Sequence, residues 1–490
     1  MLTHPSGVLT RGVVGSVLVL LGGLVVSALP DSAPILDGGP LAALRAHTAG
    51  RMVGLCVVLL GLGLLAAGWL ALCRAVAGAE GAQWTVALAL VRRATVLWSL
   101  PLLVAPPLFS RDGWSYAAQG MLGHIGLSPY EFGPGVLAGP IEEAVDPRWL
   151  GTPAPYGPLP LIFGELGASL TGNPWVLVVG HRMVALIGLV LLAWAVPRMA
   201  RWTGVNPALA SAVVLVSPLM MANGVGGLHN DLLMVGLMAA ALVAAVEHSW
   251  FAGAVLGGLA AAVKLPGGLI CVLVVLVSLP VGALLVDRLR RLALVAAVSI
   301  GTLVGTGVLW GLGVGWIEAL SVPASIDTLL SPPTLLGRGL DWVAGILGTG
   351  LEPDTFRDLI RALAMAALLA LSAWIALRRR TGDPADGVRG AALLVGASLL
   401  LSPVVHLWYF LWLVPFLAPL RLPRAGTMAV VAVSVLTGLV APLDSSLHGA
   451  YLVIMVGAMS VAGLMTVLLL TRHGRERIRN IAEADLVTIA

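Results

Sequence analysis

The stretch ATVLWSLPLLVAPPLFSRDGWSY, residues 94–116, decides the class of fold. No charged residue occurs from Ala94 to Phe109, and Arg111 and Asp112 then follow as neighbours. A run of this kind is typical of a segment that crosses the hydrocarbon core of a membrane, and charges gather where such a segment ends. The next long apolar run begins only near Trp175. The sequence therefore predicts a membrane span that opens into a long polar segment.

The composition extends this interpretation to the whole chain. Of the 490 residues, 59% are hydrophobic and 11% are charged, with a mean hydropathy of +0.99. An ordinary soluble domain carries about 25% charged residues. These values exclude a soluble protein and predict an all-α polytopic membrane protein. The net charge of +4 is interpreted as a signal of membrane topology, and no nucleic-acid partner is expected.

Apolar runs bounded by charges or by proline and glycine predict about 13–14 transmembrane helices within one domain, residues 1–471, followed by a polar cytoplasmic tail, residues 472–490. The first run is predicted to be a retained helix and not a cleaved signal peptide. The predicted spans are residues 12–29, 52–73, 94–109, 175–197, 206–222, 231–247, 250–264, 266–286, 292–316, 358–377, 390–404, 406–420, 426–442 and 449–471.

Positive residues collect in cytoplasmic loops. If both termini are cytoplasmic, most of the 28 lysine and arginine residues fall inside and most acidic residues fall outside. We therefore expect a multi-pass protein of the plasma membrane, with its two long polar segments, residues 110–173 and 318–357, on the outer face. Both segments are rich in proline, glycine and tryptophan, which predicts ordered loops and short helices.

Two groups of polar residues are candidates for a functional site. Arg111 and Asp112 lie where the third span ends, although Asp112 or Ser110 could alternatively serve as the cap of a helix. His229, Asn230 and Asp231 stand together at the predicted outer end of the sixth span. A helix cap needs one polar residue, so three adjacent ones favour a polar pocket.

Two cations and a group of aromatic residues complete the candidates. Lys264 is the only lysine in the chain and lies where Pro266 breaks two short spans; it is suited to bind phosphate, or alternatively it extends to the interface. Arg338, between two glycines, is suited to bind phosphate or is simply solvated.

His406, Trp408 and Tyr409 begin a span from the outer side. They are consistent with an aromatic belt at the membrane interface, which has no catalytic role. Alternatively, their rings stack on a sugar.

All these groups fall at the same predicted membrane boundary. A carboxylate near phosphate-binding cations is suited to transfer a sugar from a lipid phosphate, because the carboxylate accepts a proton from the acceptor hydroxyl while the cations stabilise the leaving phosphate. No metal-ligand spacing is present in the sequence, so neither a metal nor another cofactor is expected.

Six blocks in this order resemble the actinobacterial polyprenol-phosphate-mannose-dependent α-(1→6)-mannosyltransferases. They are FSRDGWSYAAQGMLGHIGLSPYEFGPG, TPAPYGPLPL, GGLHNDLLMVGLM, AAVKLP, GVGWIEAL and LWYFLWLVPF. The resemblance implies the C-type glycosyltransferase (GT-C) fold with a periplasmic active site. It also implies inverting transfer of mannose from polyprenyl-phosphate-mannose to a lipid-anchored α-(1→6)-mannan, the backbone of lipomannan and lipoarabinomannan.

The resemblance also implies roles for individual residues. Asp112 is the expected general base, and Lys264 and Arg338 are the expected ligands of the donor phosphate. Trp114 departs from the tyrosine expected at this position in the family, although either ring can stack on a sugar. The remaining expected substrate-binding residues are Arg111, Tyr116, Gln119, Tyr130, Tyr156, His229, Asn230, Asp231, His406, Trp408 and Tyr409.

Three alternatives remain open from the sequence. The chain could be a transporter or flippase of a lipid-linked sugar, although related halves, which are common in transporters, are not evident. It could be a non-catalytic scaffold, or a GT-C enzyme that uses another lipid-linked sugar such as arabinose. Within the resembling family, the HND, KLP and SPPT blocks favour the proximal type of backbone elongation over the distal type.

Overall fold

The computed structural model describes residues 5–30, 32–37, 39–322, 326–328 and 330–443, and the single positions 473, 476 and 480. In this part of the chain the regular secondary structure is helical, without strands. The all-α prediction is confirmed. The predicted span 449–471 and nearly all of the tail 472–490 lie outside the described residues.

The helices of the first half are α1 (Pro5–Val26), α2 (Pro40–Ala46), α3 (Thr48–Ala77), α4 (Gln83–Leu103), α5 (Asp112–His124), α6 (Pro140–Ala144), α7 (Pro158–Leu170), α8 (Pro174–Thr203), α9 (Pro207–Leu215) and α10 (Asp231–Glu247). Short 3₁₀ turns cover Pro34–Leu36, Pro134–Val136 and Pro147–Trp149, and a π-helical turn covers Met220–Gly226.

The second half contains α11 (Trp250–Val263), α12 (Ile270–Val277), α13 (Leu285–Leu309), α14 (Trp316–Ala319), α15 (Pro332–Ile346), α16 (Thr355–Arg378), α17 (Pro384–Leu401), α18 (Phe410–Leu417) and α19 (Arg424–Leu439). Its 3₁₀ turns cover Leu265–Leu269, Leu407–Tyr409 and Ala441–Leu443.

Seven of the described helices are long and apolar enough to cross a membrane: α1, α3, α4, α8, α13, α16 and α17. A further pair, α9 and the π-helical turn, passes the same test together but is bent by 62°. The multi-pass prediction is confirmed. Several of the 13–14 predicted spans are shorter helices instead, because proline and glycine interrupt their apolar runs; the predicted span 266–286, for example, ends as α12 at Val277.

The third span differs from its predicted bounds of 94–109. Helix α4 begins at Gln83 and ends at Leu103. The helix includes Arg92 and Arg93, whose side chains are exposed. These two arginines therefore do not mark the start of the helix, although the predicted bounds assumed that they did. The consecutive prolines 106 and 107 mark its end, because proline lacks the N–H that would continue a helix.

Helix α10 forms the centre of the bundle. Every residue from Asp231 to Ala245 is buried, as expected for a helix that is apolar all round. It packs against α8, α11, α12 and α18. It contacts α8 closely at two glycines. A β-carbon added to Gly236 would lie only 2.5 Å from the Cα of Gly188. The polar N-terminus of α10 is therefore held at one end of the bundle core.

Two helices of the first long polar segment, α5 and α7, are folded into this bundle. Most of α5 is buried, and α5 packs against α7 and α8. At Gly120 and Gly164 the two backbones touch, since a β-carbon on Gly120 would lie 2.4 Å from the carbonyl carbon of Gly164. This packing brings Asp112, the first residue of α5, to the same end of the bundle as the start of α10.

Candidate active site

A cavity of about 720 Å³ lies at this end of the bundle. Its walls come from the start of α5, from the segment that precedes α7, from the turn after α11, from residues 326–328 and 330 before α15 and from the turn before α18. The lining residues include eight that the sequence analysis predicted, namely Arg111, Asp112, Gln119, Tyr156, Lys264, His406, Trp408 and Tyr409.

Asp112 and His229 meet at the wall of this cavity although they are far apart in the chain. Oδ2 of Asp112 lies 3.2 Å from Nδ1 of the buried His229. Each follows a non-glycine residue in the left-handed region, Phe109 with φ 67° and Leu228 with φ 57°. Such backbone conformations cost about 1–3 kcal/mol each and persist only where the surrounding structure fixes them. Both turns are therefore held in place by their surroundings.

The electrostatic environment keeps Asp112 ionised. Burial by itself raises the pKa of Asp112, but the imidazole of His229, with smaller contributions from His406 and Lys264, outweighs burial, so the pKa lies below its ordinary value. Burial lowers the pKa of His406 to about 4, which leaves this imidazole neutral at pH 7. At neutral pH the cavity thus contains a carboxylate that can accept a proton.

A stack of three rings fixes His229. The indole of Trp408 lies between two imidazoles, with ring centroids 3.9 Å from His229 and 4.4 Å from His406, and both pairs are nearly parallel. Stacking of flat rings restricts rotation of the imidazole. The orientation of His229 toward Asp112 therefore depends on Trp408.

Lys264 faces the cavity from the turn that follows α11. Its Nζ donates to Oδ1 of Asp231 at 3.0 Å and to the hydroxyl of Tyr409 at 3.1 Å, and it lies 4.2 Å from the centre of the Tyr409 ring. Asp231 also accepts a hydrogen bond from Trp412. A lysine ammonium has three donors, so these contacts leave one for a ligand. The alternative that Lys264 simply extends to the interface is wrong.

The helix-cap alternative is wrong for Asp112 and Asp231, whereas Ser110 does accept the first backbone N–H of α5. The N-cap positions of α5 and α10 are Arg111 and Asn230, and neither makes a side-chain capping hydrogen bond. At α5 the backbone N–H of Asp112 donates to Oγ of Ser110 at 3.2 Å. The carboxylates of Asp112 and Asp231 are thus available for other contacts.

Tyrosines lie behind and beside the carboxylate. The hydroxyl of Tyr116 lies 3.5 Å from Oδ2 of Asp112 and 3.4 Å from the hydroxyl of Tyr156. Tyr130 does not line the cavity; its hydroxyl donates to the backbone carbonyl of Tyr156 at 3.1 Å. The next residue, Gly157, donates its N–H to the carbonyl of Val263 at 3.1 Å. These bonds join the wall that holds Tyr156 to the turn that holds Lys264.

Seven predicted residues do not line the cavity. Tyr116, Tyr130, His229 and Asp231 contact residues that line it, and Asn230 is buried between His229 and Asp231 in the chain.

The other two predicted residues that do not line the cavity are Trp114 and Arg338. Trp114 is fully buried and donates its indole N–H to the carbonyl of Ala28 at 3.2 Å, so it is not placed to stack on a sugar. Arg338 pairs with the carboxylates of Asp327 and Asp354, and 43% of its side chain is exposed. Asp327 lines the cavity but Arg338 does not, and Asp327 also pairs with Arg357 and Arg361, so Arg338 is one of three arginines in a partly exposed ion-pair network.

The sequence analysis missed two walls of the cavity and one buried arginine. One missed wall is residues 326–328 and 330, which include Asp327. The other missed wall contains a buried carboxylate, a surface arginine and an aromatic ring, namely Asp146, Arg148 and Trp149. The signal was an isolated acid–base pair within a proline-rich segment. Arg182 is fully buried in α8, and it was visible as the one charged residue of the predicted span 175–197.

The available chemistry is that of an acid–base and charge-stabilising site. Within the part of the chain that the structure describes, no group of three or more His, Cys, Asp or Glu side chains is arranged to hold a metal ion. The cavity offers an ionised carboxylate, an ammonium with a free donor, and aromatic faces. This combination defines a polytopic membrane protein with a polar cavity that is suited to group transfer at one end of its helical bundle.

Comparisons with known proteins agree with this class and name the family. The family model described as the α-(1→6)-mannopyranosyltransferase N-terminal domain matches residues 9–280, more than half of the chain. A second model, described as the MptB C-terminal domain, matches residues 333–472. The chain therefore belongs to the α-(1→6)-mannopyranosyltransferase family. This membership confirms the resemblance inferred from the motifs and the expected class of enzyme, a mannosyltransferase with a polytopic GT-C fold.

Curated relatives support the same assignment. The α-(1→6)-mannopyranosyltransferase A of Mycobacterium tuberculosis is 32% identical over 471 residues, which cover 92% of this chain and 87% of that protein. A second M. tuberculosis α-(1→6)-mannopyranosyltransferase is 32% identical and covers 80% and 76%. The α-(1→6)-mannopyranosyltransferase B of Corynebacterium glutamicum is 28% identical and covers 83% and 72%. No solved structure matches the chain.

Proposed function

We propose that this protein transfers mannose from polyprenyl-phosphate-mannose to a lipid-anchored α-(1→6)-mannan, the backbone of lipomannan and lipoarabinomannan, with inversion at the anomeric carbon. The observation that carries the proposal is the presence of Asp112 and Lys264 in one cavity. One supplies an ionised carboxylate, and the other supplies an ammonium with a donor to spare.

In the proposed reaction Asp112 accepts the proton of the acceptor 6-hydroxyl. The acceptor oxygen forms a bond to the anomeric carbon of mannose while the bond from that carbon to the phosphate oxygen breaks. The leaving polyprenyl phosphate takes the electron pair, and Lys264 stabilises its charge. Asp231 and Tyr409 hold the ammonium in place, so no reorganisation is needed as the charge develops.

The wall that contains Asp146, Arg148 and Trp149 is the proposed acceptor side. The guanidinium of Arg148 binds both oxygens of Asp146, at 3.0 and 2.8 Å, which presents a planar polar surface next to an aromatic ring. Sugars combine hydroxyl groups with apolar ring faces, so such a surface suits them. Gln119 lines the same cavity and adds an amide donor and acceptor.

The cavity is proposed to face the periplasm, with both termini in the cytoplasm and residues 1–471 forming a single transmembrane domain. Support comes from the positive residues at the other end of the bundle. Arg198, Arg201, Arg288, Arg291 and Arg379 lie at helix ends that are remote from Asp112. A cysteine introduced at the exposed Val281, in a background that lacks Cys56, Cys73 and Cys271, should react only with membrane-permeant maleimides in intact cells, and reaction with impermeant reagent would contradict this orientation.

The direct test uses the purified protein in lipid vesicles with labelled polyprenyl-phosphate-mannose and a short α-(1→6)-mannoside. We expect one new α-(1→6) bond per polyprenyl phosphate released. Mannolipid that crosses the bilayer without a new glycosidic bond would contradict the proposal in favour of a transporter. Preferred use of polyprenyl-phosphate-arabinose would contradict the proposed identity of the donor. The predicted proximal role is tested by acceptor length, since a proximal enzyme should prefer the shortest acceptors.

A further inference from the structure

Arg182 lies in the middle of the bundle, in an environment that normally excludes charge. Its side chain is fully buried in α8. Burying a guanidinium without compensation is very costly. Among the described residues, no carboxylate lies within ion-pairing distance of Arg182. Its charge must therefore be compensated by other groups.

Five backbone carbonyls supply this compensation. A guanidinium has five N–H donors, and in Arg182 each of them has its own acceptor. Nε donates to the carbonyl of Val225 at 3.1 Å. Nη1 donates to Leu103 at 2.7 Å and Ala105 at 2.6 Å, and Nη2 donates to Pro106 and Gly226 at 3.3 Å each. The donor set is fully used.

The accepting carbonyls lie at or just after two helix ends, where the backbone N–H donors of a continuing helix are missing. The carbonyl of Leu103 would normally accept from the N–H of residue 107, but residue 107 is a proline. Val225 and Gly226 end the π-helical turn. The C-terminal carbonyls of a helix carry partial negative charge. Two such ends directed at one guanidinium explain how the charge is tolerated without a carboxylate.

These two helix ends lead directly into the candidate active site. Three residues after Pro106 the chain passes through the left-handed Phe109 to Asp112, and two residues after Gly226 it passes through the left-handed Leu228 to His229. The N–H of Leu108 also donates to the carbonyl of Gly226 at 3.0 Å. Arg182 thus binds both of the segments that lead to Asp112 and His229.

We propose that Arg182 is a positioning residue for the transfer reaction, which it serves by holding the Asp112 and His229 turns in register through their backbone carbonyls. The proposal rests on the proposed function, since it requires that Asp112 is the base. It assigns a role in catalysis to an arginine that does not touch the cavity. Its effect is expected in the geometry of the Asp112–His229 pair and not in donor binding.

The test substitutes Arg182→Lys, which keeps the charge but offers three donors to five carbonyls. Arg288→Lys is the matched control, because Arg288 also binds backbone carbonyls, those of Ala283, Ala376 and Arg379, but lies at the far end of α13. Turnover, the donor KM and the pH profile are measured per folded, monodisperse protein in vesicles.

For Arg182→Lys we expect kcat to fall about tenfold or more, with the donor KM within about twofold of the parent. The acid limb of the pH profile should move to higher pH, because a displaced His229 stabilises the Asp112 carboxylate less. In a His229→Asn background the same substitution should cost less, since interacting residues are not additive. Arg288→Lys should match the parent in all three quantities.

A normal kcat and an unchanged pH profile for folded Arg182→Lys would overturn the proposal. If Arg182→Lys does not fold, Arg182→Gln is the second variant; failure of both to fold would assign Arg182 a purely structural role and also overturn the proposal. The proposed function fails separately, when the parent forms no α-(1→6) bond or when Asp112→Asn remains active.

Discussion

Two groups of charged residues illustrate what distinguishes a site from a surface. Around the cavity, Lys264 is 15% exposed and pairs with the fully buried Asp231. In the second long polar segment, Arg338 is 43% exposed and pairs with two partly exposed carboxylates, Asp327 and Asp354. Both cations are expected phosphate ligands by sequence. The two cations differ in burial. Charges in a medium of low dielectric constant interact strongly, whereas exposed pairs are screened by solvent and salt.

Lys264 and Arg338 also differ in their ion-pair partners. Lys264 has one carboxylate partner and retains an unused donor toward the cavity. The guanidinium of Arg338 pairs with Asp327 and Asp354, which also pair with Arg357, and Asp327 pairs with Arg361 as well, so Arg338 is held in a network of three arginines. The comparison therefore predicts that substitutions of Asp112, His229 and Lys264 change activity strongly. Substitution of Arg338, which belongs to the cluster of Arg338, Arg357 and Arg361, should change it little.

Asp112→Asn should have the largest effect. The amide keeps the shape of the side chain but cannot accept the proton of the acceptor hydroxyl, so kcat should fall about 10³-fold, within the range of general base catalysis. Turnover of the purified variant in vesicles checks the prediction, and thermal unfolding confirms that the variant is folded. Near-normal turnover would remove Asp112 from the mechanism.

Lys264→Met should have the next largest effect, raising the donor KM about 10- to 100-fold because a charge-assisted contact to phosphate is lost. The single substitution also leaves Asp231 unpaired, and breaking a buried pair costs about 3–5 kcal/mol. The double variant Lys264→Met, Asp231→Asn is therefore the control. It should regain thermal stability but not donor affinity, and recovery of both would contradict a phosphate-binding role.

His229→Asn should change the pH dependence more than the rate at neutral pH. His229 lowers the pKa of Asp112 against the opposing effect of burial. Without it the pKa rises, so activity should be lost at a higher pH as the solution is acidified. His248→Asn is the matched control, since His248 is exposed at the opposite end of α10. An unshifted acid limb in His229→Asn would contradict the coupling.

Arg338→Gln should have the smallest effect, below about twofold in kcat and in donor KM. Exposed ion pairs contribute little and are screened by salt. Donor titrations at low and high ionic strength check this prediction. A tenfold loss of donor affinity would contradict the distinction between the two groups and restore the role expected from the sequence.

The helical class and most members of the site were predictable because they depend on local signals. Apolar run length predicted the spans, and the ordered motifs identified Asp112, His229 and Lys264. The contacts between them were not predictable, since Asp112 meets His229, and Lys264 meets Tyr409, across long stretches of chain. Whether Arg338 meets water or the cavity depends on packing of α15 and α16, which no local pattern encodes.

The role of Arg182 was missed for a related reason. A charge inside an apolar run indicates a special position, but its five acceptors are backbone carbonyls at or just after the end of α4 and on the π-helical turn. Carbonyls are present at every residue, so the sequence carries no mark of which ones lack donors. The prolines at 106 and 107 are a partial mark, because they remove the N–H groups that would otherwise satisfy the end of α4.

Donor binding in a pair of variants tests the division of roles most directly. Affinity for polyprenyl-phosphate-mannose is measured for Asp112→Asn and for the folded double variant of Lys264 and Asp231. The account predicts that Asp112→Asn binds the donor within about twofold of the parent, whereas the double variant binds it at least about tenfold more weakly. Equal donor affinity in both variants, or weaker binding in Asp112→Asn alone, would contradict it.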